Sequence, residues 1–189
     1  MEIKYFGKSI FFIKGKTENV WVNPPNVDFF SRIKDKARTV IFSEERNNQK
    51  EWFNREEVVI FGPGEYEIGG VGVIGVNGGE STIYTVNYEG LILGIMGKIK
   101  EIPSDKKMEK IGGVDLLLAD VSSETDLKVL TQFAKKVGTN YLVPSNFNQD
   151  GLRKFLDITD NEQMEPIGCL KVSIEELPEG MEVVVLKEI

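Results

Sequence analysis

The sequence predicts a layered α/β fold in which two β-sheets pack together and helices cover their outer faces. The first half of the chain consists of short apolar runs rich in β-branched residues and phenylalanine, separated by turns that contain glycine. In the second half, apolar strands alternate with segments of helical periodicity. The chain has 189 residues, of which 41% are hydrophobic and 28% charged, and this composition predicts one globular domain over residues 1–189.

Strands dominate the first hundred residues. The predicted strands are Ile3–Phe6, Ile10–Ile13, Val20–Val22, Thr39–Phe42, Val58–Phe61 and the glycine-rich run from Glu65 to Val76. The polar segment Glu44–Arg55 is predicted to be a loop that leads into a short helix. Thr82–Tyr88 and Leu91–Met96 flank Glu89-Gly90, which is typical of a β-hairpin.

Helices enter in the second half. The predicted helices are Asp105–Ile111, Ser122–Val137 and Asn148–Leu156, and the predicted strands are Asp115–Ala119, Tyr141–Val143, Cys169–Ile174 and Met181–Leu186. Ser122 or Ser123 is expected to cap the longest helix, and Gly138 to end it. The last two strands are expected to pair with each other around Pro178-Glu179-Gly180.

The chain contains no histidine, and this count excludes several kinds of chemistry. Histidine is the usual general base near neutral pH and the commonest metal ligand in proteins. Catalysis by Ser-His-Asp or Cys-His groups and zinc sites with histidine ligands are therefore excluded.

The net charge of −7 and the apolar pattern exclude two classes of partner. No basic face is indicated, so we expect no nucleic-acid binding. No run approaches the ~18 apolar residues of a membrane-spanning helix, so we expect no membrane association. The single cysteine, Cys169, is expected to be a buried thiol, and its lack of a disulfide partner fits the reducing cytoplasm.

Several segments, in order, resemble small hydrolases of the metallo-β-lactamase fold, in particular a branch of Zn-dependent hydrolase-like proteins. The matching segments are Ile3–Lys16, Val20–Pro25, Val40–Gln49, Gly62–Val76, Thr82–Ile99, Val114–Ser123 and Tyr141–Phe147. The stretch GPGEYEIGG, which begins at Gly62, is the most specific of them. The resemblance implies an α/β fold of the four-layer αββα type.

In that family, histidines and aspartates at one edge of the sandwich bind one or two metal ions. The resemblance places these ligand positions on Glu44, Arg46, Asn48, Gln49, Lys98 and Asn146, with an early histidine at Lys8 and an early aspartate at Asn23. Lys98 stands where the family has its metal-bridging aspartate. Lysine and arginine offer no lone pair near neutral pH, and asparagine and glutamine are weak zinc ligands. We therefore expect no metal, no cofactor and no zinc-dependent hydrolysis.

Two interpretations of this remnant site remain open. Arg46 and Lys98 could hold a small anion such as a phosphate or a carboxylate. Alternatively, both cations neutralise Glu44 and Glu45 in a salt-bridge cluster. The leading hypothesis is a non-catalytic protein that binds a protein partner, itself or a small anion at the remnant edge.

Other functional classes also follow from the sequence. A metal-independent or Mg²⁺-dependent hydrolase would use Glu44, Glu45 or Asp120, although a solvated strand end is the expected environment of Asp120. A structural subunit of a homo-oligomer is the third class. Phe29-Phe30 is the best candidate for an exposed partner-binding patch. Glu65 and Glu67 are expected to share one face of a strand rather than to act as an acid–base pair.

Overall fold

The computed structural model describes residues 1–25, 36–44, 57–161 and 164–189, and within these ranges thirteen strands form two β-sheets. The first sheet has the order β12-β1-β2-β3-β4-β5 and consists of β1 (Glu2–Tyr5), β2 (Phe11–Lys14), β3 (Asn19–Val22), β4 (Thr39–Phe42), β5 (Val58–Phe61) and β12 (Leu170–Lys171). Its strands β12, β1, β2 and β3 are antiparallel, and β4 and β5 continue in parallel with β3.

The second sheet has the order β13-β11-β10-β9-β8-β7-β6. It consists of β6 (Gly64–Ile68), β7 (Val71–Asn77), β8 (Thr82–Tyr88), β9 (Leu91–Met96), β10 (Leu116–Asp120), β11 (Tyr141–Ser145) and β13 (Glu182–Val183). The glycine-rich run predicted as one bent strand is a hairpin of β6 and β7, since Gly69 and Gly70 both adopt positive φ and reverse the chain. Strands β9, β10, β11 and β13 are parallel.

Three α-helices lie in the second half of the described chain. They are α1 (Asp105–Ile111), α2 (Leu127–Lys136) and α3 (Gln149–Ile158). The apolar faces of α2 and α3 bury Phe133 and Phe155 in a cluster with the outer face of the second sheet. Gly138, at φ 67°, follows α2 as predicted.

The start of α2 differs from the prediction. The helix begins after Asp126, whose carboxylate accepts hydrogen bonds from the backbone N–H of Lys128 (2.9 Å) and Val129 (3.2 Å). Ser122 and Ser123 are therefore not its cap. The reason lies upstream, because the N–H of Ser122 donates to Oδ1 of Asp120 at 2.8 Å and holds this segment outside the helix.

The main core lies between the two sheets, where the inward side chains of both interdigitate. The outer face of the first sheet is also buried, with Phe12, Trp21 and Phe42 in one apolar cluster. The two-sheet α/β sandwich predicted from the sequence is thus confirmed. Glu65 and Glu67 are both exposed and Tyr66 packs against the core, as strand alternation predicted.

The end of the chain departs from the prediction. The two terminal strands do not pair with each other: β12 lies beside β1 at an edge of the first sheet, and β13 lies beside β11 at an edge of the second. The side-chain amide of Asn140 donates to the carbonyl of Pro178 at 2.7 Å and draws the connection toward the second sheet. Cys169, expected to be buried, is only half-buried before β12.

The strand directions bring several loops to one edge of the sandwich. In each sheet, the carboxyl ends of the parallel strands meet, namely those of β3 and β4 and those of β9, β10 and β11. The N–H of Thr82 donates to the carbonyl of Ser43 at 2.9 Å and joins the two sheets there. No helix among the described residues is long and apolar enough to cross a membrane.

Candidate functional site

The remnant edge, as we call it, is formed by residues that follow the carboxyl ends of five strands. These residues are Asn23 after β3, Ser43 and Glu44 after β4, Gly97 and Lys98 after β9, Asp120 at the end of β10, and Asn146 after β11. The turn at Lys8, between β1 and β2, reaches the same edge, because its carbonyl accepts a hydrogen bond from the N–H of Asn146.

Asn23 ties the ends of β3 and β4 together. Its side chain is 3% exposed, and its Oδ1 accepts the backbone N–H of Ser43 at 2.8 Å. Its Nδ2 donates to Oγ of Ser43 at 2.9 Å and to the carbonyl of Ser9 at 3.2 Å. The amide is thereby satisfied on both sides, as a buried polar group requires.

Asp120 is the buried centre of a second set of hydrogen bonds. It is 1% exposed, so the expected solvated strand end is wrong. Oδ1 accepts from the N–H of Ser122 and from the hydroxyl of Thr125 (3.0 Å), and Oδ2 accepts from Nδ2 of Asn146 at 2.6 Å. This carboxylate links the loops after β10 and β11.

Tyr5 joins the early turn to the loop after β11. Its hydroxyl donates to the carbonyl of Lys8 at 2.8 Å and accepts from the N–H of Asn146 at 3.3 Å. Burial raises the pKa of Tyr5 to about 12, and the hydrogen bond from Asn146 opposes that shift. Tyr5 is therefore a neutral phenol throughout the physiological range.

Three residues of the remnant edge share an unusual backbone conformation. Lys8, Asn23 and Asn146 have φ values of 50°, 50° and 53°. Left-handed φ is uncommon outside glycine, although asparagine tolerates it better than most residues. The hydrogen bonds of Asn23 and Asn146 hold their loops in this conformation, and the backbone contacts of Lys8 do so at the early turn.

Lys98 forms the ion pair of this edge. Its ammonium lies 3.0 Å from Oε1 of Glu124, with the lysine side chain 23% and the glutamate 58% exposed. The hydrogen bond to Glu124 raises the pKa of Lys98 above its ordinary value; desolvation opposes this, and the Glu44 carboxylate adds to the rise. Lys98 is therefore a fixed cation near neutral pH.

Glu44 and Ser81 crowd the backbone beside Lys98. A Cβ atom at Gly97 would stand 2.8 Å from Oγ of Ser81 and 3.6 Å from Oε1 of Glu44. The loop after β9 thus passes close to the end of β4, and only glycine fits there without a shift of Ser81. Because of this close approach, the Glu44 carboxylate acts electrostatically on the Lys98 ammonium. The two groups do not form the direct ion pair that the sequence suggested.

A family model described as "Beta-lactamase superfamily domain" matches residues 2–146, which is most of the chain. The chain belongs to this superfamily. Its resemblance to the metallo-β-lactamase fold, first seen in the order of the motifs, is thereby shown.

Solved structures of superfamily members share the fold. A protein from Thermotoga maritima, described as a Zn-dependent hydrolase of the metallo-β-lactamase superfamily, is 23% identical with a TM-score of 0.77, over 98% of both chains. A protein from Parabacteroides distasonis, described as a metal-dependent hydrolase, is 11% identical with a TM-score of 0.68, over 98% of this chain and 93% of its own. YhfI from Bacillus subtilis is 10% identical with a TM-score of 0.63, over 99% of this chain and 96% of its own. No curated protein matches the chain significantly.

The residues of the remnant edge do not fit the metal site of the superfamily. Lys98 is a cation that is already paired, and Asn146, whose Nδ2 donates to Asp120, offers only an amide oxygen, which is a weak zinc ligand. Within the described ranges, no three His, Cys, Asp or Glu side chains are grouped so that they could hold a metal ion. With no histidine in the whole chain, the donor set suits neither zinc nor another soft metal.

Part of the predicted remnant site can be placed. Glu44, Lys98 and Asn146, together with Lys8 and Asn23, lie at the remnant edge, and their correspondence to metal-ligand positions stays a prediction. Arg46, Asn48 and Gln49 lie outside the described residues, as do Glu45 and the Phe29-Phe30 patch. The anion site assigned to Arg46 and Lys98 therefore stays a prediction.

Sequence reasoning missed the partners of these residues. Glu124, Tyr5 and Ser43 carried no motif of their own, and Asp120 was interpreted as a hydrolase residue, a magnesium ligand or a solvated strand end, but not as a buried acceptor that links two loops. One signal was present, since an aspartate followed by Val-Ser-Ser-Glu-Thr offers hydroxyl and N–H donors within five residues. Such a segment folds around its own carboxylate, as the bonds of Ser122 and Thr125 to Asp120 illustrate.

Proposed function

We propose that this protein is a non-hydrolytic member of the superfamily that acts by binding a protein partner at the remnant edge. The observation that supports the loss of hydrolysis is the ion pair of Lys98 with Glu124 at 3.0 Å, because the resemblance aligns Lys98 with the metal-bridging aspartate of the family. A paired ammonium repels a divalent cation and supplies no nucleophile.

Among the neighbouring carboxylates, Asp120 offers no substitute for the lost chemistry. Asp120 is buried and accepts three hydrogen bonds, so it is not available as a general base toward a substrate. The same saturation argues against the alternative of a Mg²⁺-dependent hydrolase that uses Asp120. The remnant edge is proposed to consist of polar groups that hydrogen bond to one another, rather than of groups that react with a substrate.

A protein partner suits this edge better than a small anion. Glu124 already neutralises Lys98, and the Glu44 and Asp120 carboxylates add negative charge nearby. A free anion would have to displace Glu124 and face the other two carboxylates. A partner surface of mixed charge would instead pair with the exposed Lys8 and Glu124 without breaking the ion pair.

Activity assays test the loss of hydrolysis. The tag-free protein is assayed against a phosphodiester and a lactone with Zn²⁺, Mn²⁺ or Mg²⁺ supplied, and we expect no turnover above the metal-only blank. Turnover that is abolished by Glu44→Gln or Asp120→Asn, but kept in Lys98→Met, would contradict the proposal in favour of a carboxylate-based hydrolase.

Binding assays distinguish the remaining classes. The unfolding midpoint in phosphate is compared with that in chloride at equal ionic strength, and we expect no difference. A rise in phosphate that Lys98→Met removes would support the anion site instead. A solution mass of several chains would support the homo-oligomer class. A monomer that loses its protein partner in Lys8→Glu, but keeps it in Glu101→Gln, would support binding at the remnant edge.

We place this function in the cytoplasm, which fits a single, half-buried cysteine.

A further inference from the structure

A cleft of about 500 Å³ lies on the second sheet, on the face opposite the main core and away from the remnant edge residues. Its walls are strands β6 to β9 and the carboxyl end of α1. The other helices, α2 and α3, pack on the same face of the sheet, and their buried residues share one apolar cluster with Ile111 of α1. The volume falls in the range of about 300–1,000 Å³ that is typical of small-molecule sites.

The floor of the cleft is apolar. Ile74 points outward from β7 and remains 38% exposed, and Ile92 and Ile111 line the cleft from β9 and α1. Gly72 adds no side chain, so the floor stays open between Glu67 and Asn87. An exposed isoleucine beside a recess on a sheet indicates a surface that a hydrocarbon group can cover.

The rim of the cleft is acidic. Glu65 and Glu67 are two residues apart on β6, so their carboxylates project from the same face, opposite Ile74 and Gly72 of the neighbouring strand. Neither forms an ion pair or hydrogen bond within the described ranges, and no lysine or arginine lines the cleft there. The two unpaired carboxylates lie next to an apolar surface and repel each other. A cation between them reduces this repulsion.

We propose that this cleft binds a small organic cation, a primary ammonium group attached to a hydrocarbon body. The ammonium lies between the Glu65 and Glu67 carboxylates and donates to both, and the hydrocarbon covers Ile74, Ile92 and Ile111. The polar Thr85 and Asn87 between these groups complete the lining and fix the orientation of the ligand.

A second copy of the chain is a poor occupant of this face. Strand β6 is the last strand of its sheet, and edge-to-edge pairing of two copies would place Glu65 and Glu67 beside the same residues of the other copy. Like charges directly opposite each other destabilise strand pairing. The same carboxylates attract a cation. Charge complementarity therefore favours a small organic cation as the ligand of the cleft.

Titration calorimetry with phenethylammonium tests the proposal, with 2-phenylethanol and 3-phenylpropanoate as the uncharged and anionic counterparts. We expect saturable binding of the ammonium alone, weakened about tenfold or more in Glu65→Gln/Glu67→Gln. Gly72→Leu should abolish it, because a Cβ there meets Glu67 and Asn87 only at 3.7 Å and 3.8 Å and the longer side chain fills the cleft without a clash. Circular dichroism confirms that each variant is folded.

Matched variants keep the outcome unambiguous. Glu101→Gln/Glu179→Gln removes two exposed charges outside the cleft, and Gly168→Leu adds a leucine where a Cβ meets nothing within 4 Å. Both should bind phenethylammonium as the natural chain does. Equal binding of the alcohol, no saturable binding at millimolar ammonium, or an unchanged affinity in Glu65→Gln/Glu67→Gln would each overturn the proposal. Binding of a dilysine peptide more than about tenfold tighter than phenethylammonium would overturn it in favour of a protein segment.

Discussion

Asn146 illustrates how one residue can hold a loop through both its backbone and its side chain. Its backbone is left-handed at φ 53°, its N–H binds Tyr5 and Lys8, and its side-chain amide binds Asp120 at 2.6 Å. The side chain and the backbone conformation make separate contributions to stability. Two substitutions at this position separate them.

We expect Asn146→Gly and Asn146→Ala to destabilise the protein by different amounts. Both leave the buried Asp120 carboxylate short of one donor, at a cost of about 1–3 kcal/mol. Alanine pays in addition about 1 kcal/mol for positive φ, which glycine does not. Urea unfolding measures both values, and an alanine variant as stable as the glycine variant would contradict the left-handed backbone.

Lys98 is the residue on which sequence and structure agree best. The sequence placed it at the centre of the old metal site and expected a carboxylate partner. The partner is Glu124 rather than Glu44, because the segment after β10 folds back over Asp120 and carries Glu124 to the ammonium. That local folding depends on the hydrogen bonds that Asp120 accepts from Ser122 and Thr125, and the family motifs do not include this signal.

A double-mutant cycle of Lys98→Met and Glu124→Gln should give a coupling below ~1 kcal/mol, since Glu124 is 58% exposed. The folded-state pKa of Lys98 is raised, so the coupling should be complete at neutral pH and disappear as the pH rises above the ordinary lysine value of 10.5. Unfolding at low and high salt, and at pH 7 and 11, measures both effects. A coupling that grows with pH or with salt would contradict an ion pair.

At the scale of elements, strands were predicted more accurately than the ends of helices. The strands β2, β4, β5, β8 and β9 match their predicted ranges within a residue, because short apolar runs between turn residues leave little ambiguity. The start of α2 and the partners of the terminal strands were wrong. The start of α2 depends on the local hydrogen bonds of Asp120 and Asp126, and the placement of the terminal strands on the long-range hydrogen bond from Asn140 to Pro178.

The cap of α2 can be tested against the cap that the sequence suggested. Asp126→Ala should cost about 1 kcal/mol, since it frees the N–H groups of Lys128 and Val129. Ser122→Ala is the matched control: its buried Oγ has no hydrogen-bond partner within the described part of the chain, so its loss should be neutral or slightly stabilising. Thermal unfolding compares the two, and a larger loss in the serine variant would contradict this assignment.

At the scale of the whole molecule, the order of motifs predicted the superfamily and the sandwich of two sheets. It also predicted which loops meet at the remnant edge, because the carboxyl ends of parallel strands lie together. The hydrogen bonds at the remnant edge could not be predicted where they join residues from distant parts of the chain, such as Tyr5 with Asn146. The cleft beside Glu65 required the position of α1 on the sheet, which the sequence does not specify.

The hydrogen bonds of the remnant edge and the ion pair of Lys98 with Glu124 should make stability independent of added or removed metal. In a protein with a structural metal, the binding free energy is part of the folding free energy, and chelators remove it. We therefore expect the same unfolding midpoint in buffer, in EDTA and in excess Zn²⁺. A midpoint several degrees lower in EDTA would show that a metal contributes to the fold.

The metal content of the purified protein tests whether the remnant edge has lost its metal site. The chain is expressed without an affinity tag, purified without chelator and measured by inductively coupled plasma mass spectrometry. Because the Lys98 ammonium offers no free lone pair and the Asn146 amide is a weak zinc ligand, we predict substoichiometric zinc, manganese and iron. About one or two equivalents of any of these metals per chain would contradict the account.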